Sequence, residues 1–146
     1  MLISCAAYQD GKKLDDIDVG RITDYLALPG CFVWVALQDP TAAELGDMQR
    51  RFSLHPLAVE DAQTGHQRPK VEEYGDMLFA ILHLVEPAGE DFNVGELAVF
   101  AAPRFLLSVR SRAERGFQEV RARCEREPDM LRQGTGYVLY ALIDAV

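Results

Sequence analysis

The sequence predicts an α/β domain in which a mixed β-sheet is sandwiched between helical layers. Two apolar runs, Phe32 to Leu37 and Met77 to Val85, lack polar alternation. Strands of that kind are buried on both sides, so layers must cover both faces of the sheet. Between and around the strands lie stretches with helix spacing or helix-end signals, at 41–52, 56–64 and 114–127. The 146 residues and 49% hydrophobic content suit one module with a real core, burying about 70% of the surface its unfolded chain would expose.

Leu2 to Tyr8 is apolar enough for a strand, and Gly11 marks the turn after it. Asp15, Asp16 and Asp18 precede a short helical stretch, Val19 to Leu28, ended by Pro29-Gly30. Their charges favour the N-terminal pole of that helix; a metal loop there would need a Gly and a terminal Glu in register. Phe32 to Leu37 is a buried strand with Trp34 in the core. Thr41 and Glu44 are spaced as a capping box, and Leu45, Met48 and Phe52 follow as one apolar stripe. Pro56 suits the first turn of a helix running to Thr64, and Gly65 suits its stop.

Lys70 to Tyr74 begins a strand that Pro69 separates from the helix before it. Glu86 to Asp91, EPAGED, reads as a turn-rich acidic loop after the Met77 to Val85 strand. Phe92 to Ala102 and Phe105 to Arg110 make a hairpin around Pro103-Arg104. Glu114 to Glu127 is amphipathic, with Phe117, Val120 and Cys124 inward, and Pro128 breaks it or starts a new turn. From Tyr137 to Val146 the only charge is Asp144. A helix so apolar is either buried in the core or continued against partners.

Composition excludes several functions. A net charge of −8 argues against a nucleic-acid surface, and it raises the local concentration of cations. Cys5, Cys31 and Cys124 are widely spaced without a CxxC, as expected of free core thiols in a reducing compartment. No signal peptide is visible, and no apolar run approaches the roughly 20 residues of a spanning helix. Enzyme signatures are missing as well. His55 stands five residues from Glu60 and eleven from His66, so no HExxH exists, nor is there a nucleophile elbow or phosphate-binding glycine loop. His83, inside an apolar strand, reads as a core or sheet-surface residue.

The densest chemistry lies in His55 to Tyr74, HPLAVEDAQTGHQRPKVEEY. Glu60 and Asp61 fall near the end of the 56–64 helix, where the negative dipole pole disfavours carboxylates. Such a pair either attracts a cation or is solvated surface. Arg68 is placed to pair with these acids and position the loop.

HPL, ED and HQRPKVE at this spacing, followed by YVLYALIDA at Tyr137 to Ala145, resemble the cytoplasmic domain of the CorA family of magnesium and cobalt transport proteins. The likeness runs from about Cys31 to the end. It implies a cytoplasmic α/β/α domain over residues 1–134 and, over 135–146, the start of a truncated stalk helix. The family's membrane helices and Gly-Met-Asn motif are absent from the sequence. The implied function is that of a cation-sensing regulatory domain of a pentameric channel, at the cytoplasmic face of the inner or plasma membrane and anchored through C-terminal helices.

By the same resemblance Mg2+ or Co2+ acts as a regulatory ion between neighbouring subunits and favours the closed pore. Asp61 would face an acid of the neighbour's stalk, with Glu60 and Asp144 at a second nearby cation site. His66 is suited to cobalt more than to magnesium. No nucleic-acid partner is expected. Two alternatives stand beside this reading: a zinc transporter of the ZntB type, and a stand-alone interaction module.

Overall fold

A computed structural model describes the whole chain, Met1–Val146. Seven strands form one sheet: β1 (Leu2–Gln9), β2 (Lys12–Asp16), β3 (Cys31–Gln38), β4 (Lys70–Tyr74), β5 (Met77–Ala88), β6 (Asp91–Ala102) and β7 (Phe105–Ser111). Their order across the sheet is β2-β1-β3-β7-β6-β5-β4. The central β3–β7 pair is parallel and every other pair antiparallel, so the sheet is mixed. A 3-10 turn at Val19–Arg21 leads into α1 (Ile22–Leu26). The other helices are α2 (Ala42–Phe52), α3 (Pro56–Thr64), α4 (Gln118–Glu125), α5 (Pro128–Leu131) and α6 (Thr135–Ala145). None is long and apolar enough to cross a membrane.

The pleat sends successive side chains to opposite faces, and each face builds its own core. Val33, Val35, Phe100 and Leu107 pack with Leu45, Met48 and Phe52 of α2 and with Ala58, Val59 and Ala62 of α3. Their chain neighbours Phe32, Trp34, Val99 and Leu106 pack with Val120 and Cys124 of α4, Leu131 of α5, and Val138, Ala141 and Leu142 of α6. The predicted helix–sheet–helix sandwich is therefore present. Both edges of the sheet are charged: β2 reads KKLDD and is exposed throughout, while β4 reads KVEEY. Charge on an edge strand discourages pairing with a further chain.

Local signals placed most elements well. Thr41 caps α2, its side chain accepting from the Glu44 N–H while Glu44 accepts from the Thr41 N–H. Pro56–Thr64 is helical between the predicted limits. Three expectations need correction. Asp15 and Asp16 lie in β2, pairing with Ala7 and Ala6, instead of leading into a helix. Gly11 turns so tightly that the chain returns at once as a hairpin, and a charged edge strand has no apolar pattern to reveal it. The EPAGED loop shrinks to a turn, because β5 and β6 stay paired out to Ala88 and Asp91. The helix at 114–127 is confined to Gln118–Glu125, and Pro128 opens the separate α5.

Two glycine variants test the packing. Gly11 sits at φ +81°, and a Cβ there would overlap the Pro128 carbonyl oxygen. G11A should cost about 1–3 kcal/mol or more in urea unfolding. Gly136, inside α6 with open space around it, gives the opposite sign, G136A adding about 0.5–1 kcal/mol. The thiols give a second test. Cys5, Cys31 and Cys124 are free and buried, and burial pushes the Cys5 and Cys124 thiols up to about 11. Iodoacetamide at pH 8 should leave all three unlabelled until urea unfolds the chain. These thiols stay protonated in the fold while the unfolded chain ionises from 9.0, so stability falls as pH climbs from there toward about 11.

Candidate functional site

The segment singled out by sequence begins at the N-cap of α3. His55 Nδ1 accepts from the Leu57 N–H at 3.2 Å, and its ring stacks on Tyr74 with centroids 4.3 Å apart. This imidazole thus caps and packs. Ala58, Val59 and Ala62 turn into the core, which rotates Glu60 outward and leaves Asp61 half-buried. Gly65 ends the helix at φ +71°, where a Cβ would lie 2.6 Å from the Arg112 guanidinium. His66 follows, also left-handed at φ +57°, and exposed.

Gln67 anchors the rest of the loop to the sheet. Its N–H donates to Glu96 Oε1 at 2.9 Å, and its carbonyl meets His83 Nε2 at 2.8 Å. Glu96 is only 5% exposed and takes its charge balance from Arg112 at 3.3 Å. His83 therefore stands at the sheet surface and holds a loop. Glu96 was invisible as a functional residue, because one acid in an apolar strand has no motif.

The loop delivers Lys70 to the carboxylates. Lys70 Nζ lies 2.6 Å from Asp61 Oδ2 and 2.6 Å from Glu72 Oε1. Hydrogen bonds to Asp61 and then Glu72 hold its ammonium well above the usual lysine range. Lys70 in turn keeps the Glu72 carboxyl below the usual carboxylate range. Glu72 Oε1 itself is shut off from solvent and has the Lys70 ammonium as its one partner, although the Glu72 side chain as a whole is 38% exposed. Two carboxylate oxygens from α3 and β4 thus converge on a single cation position. Sequence reasoning missed Glu72 and assigned the pairing role to Arg68. Arg68 is exposed and forms no ion pair; Lys70, in the first position of β4, has the direction the strand gives it.

Asp144 is elsewhere. It sits on α6 and pairs with Arg123 of α4 at 2.8 Å. Because α3 covers one face of the sheet and α6 the other, a single copy does not bring Asp144 to Glu60 and Asp61. Glu60 is exposed, and its carbonyl accepts from the Thr64 hydroxyl at 2.8 Å. No three His, Cys, Asp or Glu side chains gather anywhere in the chain so as to hold a metal ion. Asp61 and Glu72 have the hard oxygen donors a hydrated Mg2+ accepts, but their shared position holds an ammonium.

Comparison with known proteins gives the chain its relatives. Residues 30–146 match the family model described as CorA-like Mg2+ transporter protein. The chain is 30% identical over 111 residues to YfjQ of Bacillus subtilis (strain 168), a match covering 76% of this chain and 34% of that protein. It is 32% identical over 101 residues to the cobalt/magnesium transport protein CorA of Thermotoga maritima, covering 65% and 28% respectively. Its fold matches the soluble domain of CorA from Methanocaldococcus jannaschii with a TM-score of 0.62 at 23% identity, over 97% of this chain and 55% of that one. The chain spans about a third of the length of these two curated relatives. With the family model matched from residue 30 to residue 146, the chain belongs to the CorA-like Mg2+ transporter family.

Proposed function

We propose that this chain is the cytoplasmic, cation-responsive domain of a divalent-cation transporter, with Asp61 as the responding carboxylate. The observation that carries this reading is the convergence of Asp61 and Glu72 on one cation position at the negative pole of α3. A hydrated Mg2+ or Co2+ takes one or two carboxylates and keeps much of its water, so the pair is a fitting half of a weak site. The other half comes from a second copy, since one copy gathers too few ligands. In this reading α6 begins the stalk, the assembly is a pentamer, and Glu60 and Asp144 meet across neighbouring copies.

Oxygen-only donors favour Mg2+ over Zn2+, whose sites draw on Cys and His. Here the cysteines are buried and His55 is occupied as a cap. His66 is the one imidazole in the segment left to a softer ion. The closed assembly needs only to bind the cation more tightly than the open one.

Lys70 sets the threshold. Its ammonium neutralises Asp61 when no divalent ion is present, and side chains 31% and 25% exposed leave the pair accessible to exchange. In the complete gene product, D61A should raise the magnesium concentration that half-inhibits uptake by about tenfold, the equivalent of ~1.4 kcal/mol. K70Q should move that concentration the opposite way while costing no more than about 1 kcal/mol in stability. Radiotracer cobalt uptake against magnesium measures both. An unchanged magnesium dependence in D61A would remove Asp61 from the sensor.

A further inference from the structure

On the sheet face opposite Asp61 the helical cover stops short. There α4, α5 and α6 pack over Val99 and Leu106, whereas Ser4, Trp34, Ser108 and Arg110 lie beneath the segment leading into α4. A cavity of about 190 Å³ remains between them. Its charged lining is Arg110 and Arg121 alone, with no carboxylate, in a chain of net charge −8. Trp34 and Phe117 supply apolar walls, and Gln118 stands at the exposed mouth.

The two arginines differ. Arg121 is matched by Asp16 at 3.0 Å and Glu125 at 3.3 Å. Arg110 is only 7% exposed and has two neutral acceptors, the Glu114 carbonyl at 2.7 Å and Gln38 Oε1 at 2.9 Å. Glu86 lies near enough for Arg110 to lower its carboxyl, but the Arg115 and Glu114 N–H groups act on it first and hold it at 3.0 and 3.1 Å. It forms no ion pair with the guanidinium. Arginine cannot shed its proton, so this buried charge is left without an opposite charge in contact. A guanidinium carries five N–H donors in a planar fork, and Arg110 directs two of them at protein acceptors.

We propose that this cavity binds a small organic monocarboxylate with a flat apolar body. The carboxylate sits on the free edge of Arg110, within reach of the Ser108 hydroxyl, and the body lies against Trp34 and Phe117. One unmatched positive charge calls for one negative charge, and a planar carboxylate suits the fork. The cavity is smaller than the roughly 300 Å³ of a drug-sized pocket, which limits the ligand to a short molecule.

Trp34 is the only tryptophan in the chain, so its fluorescence reports on the cavity wall. Benzoate, benzamide and phenyl phosphate would be titrated into the 146-residue chain at fixed ionic strength, following Trp34 emission and the melting temperature. Saturable change with benzoate in the millimolar range or below is expected, together with a higher melting temperature. Benzamide should do nothing, and phenyl phosphate should bind more weakly because its second charge has no partner. R110M should abolish the benzoate response. If R110M does not melt cooperatively, R110K serves instead, keeping the charge without the fork and weakening benzoate at least tenfold. No saturable response to benzoate, equal binding of benzamide, or unchanged affinity in whichever arginine variant folds would each overturn the assignment. Tighter binding of phenyl phosphate would overturn the monocarboxylate class. None of these outcomes bears on Asp61, which lies on the other face.

Discussion

Both faces of the central β3–β7 pair have to be dry, and the rest of the chain is arranged to keep them so. Val33, Val35 and Leu107 face one core while Phe32, Trp34 and Leu106 face the other. Parallel neighbours cannot be joined by a tight turn, so the chain needs a long crossover between Gln38 and Phe105. That crossover carries α2 and α3 over one face and then lays down β4, β5 and β6. The position of the acidic segment is thus a by-product of core building. Ala58, Val59 and Ala62 must point at the sheet, and Asp61 is left half-buried, looking across to β4.

The charge balance at that point is local and weak, which is what a responsive site requires. Two carboxylates and a helix C-terminal pole form a negative focus; one lysine on the neighbouring strand offsets it. Exposed ion pairs contribute about 0–1 kcal/mol, so replacing the ammonium costs the fold little. Had both carboxylates been buried like Glu96, any exchange would have left an uncompensated charge in a medium that punishes it. Two ion pairs thus border the segment, one built on a buried carboxylate and one half-buried on both sides. Glu96 and Arg112 fix the loop, and Asp61 and Lys70 remain open to the surroundings.

Much of this fold was legible in the sequence, for physical reasons that also mark where legibility ends. The capping box at Thr41 and the Pro56 and Gly65 boundaries act within a few residues, and they placed α2 and α3 closely. Doubly buried strands betray themselves as apolar runs. A charged edge strand such as β2 does not, since its pairing with β1 is made by backbone groups any residue supplies. Side-chain partnership was the least legible layer. Asp61 stood out from its motif, yet that Lys70 and Glu72 complete the cluster, and Arg68 does not, depends on strand alternation and register. The separation of Asp144 from Asp61 depends on which face each helix covers, and no local pattern encodes that.

The second face follows a different rule. There α6 serves two roles at once: Val138, Ala141 and Leu142 are buried against the sheet, while Tyr140, Ile143 and Val146 are exposed. These three outward residues recur at i, i+3 and i+6, one stripe on the helix surface. A helix apolar on two sides is poorly served by water on one of them. This agrees with a helix that packs against other copies, as proposed for the stalk. The same economy of cover explains Ser108 and Arg110. Beyond the reach of α4 and α6 the alternating positions of β7 turn polar, and the sheet face that helices leave uncovered is lined by groups able to hold an anion.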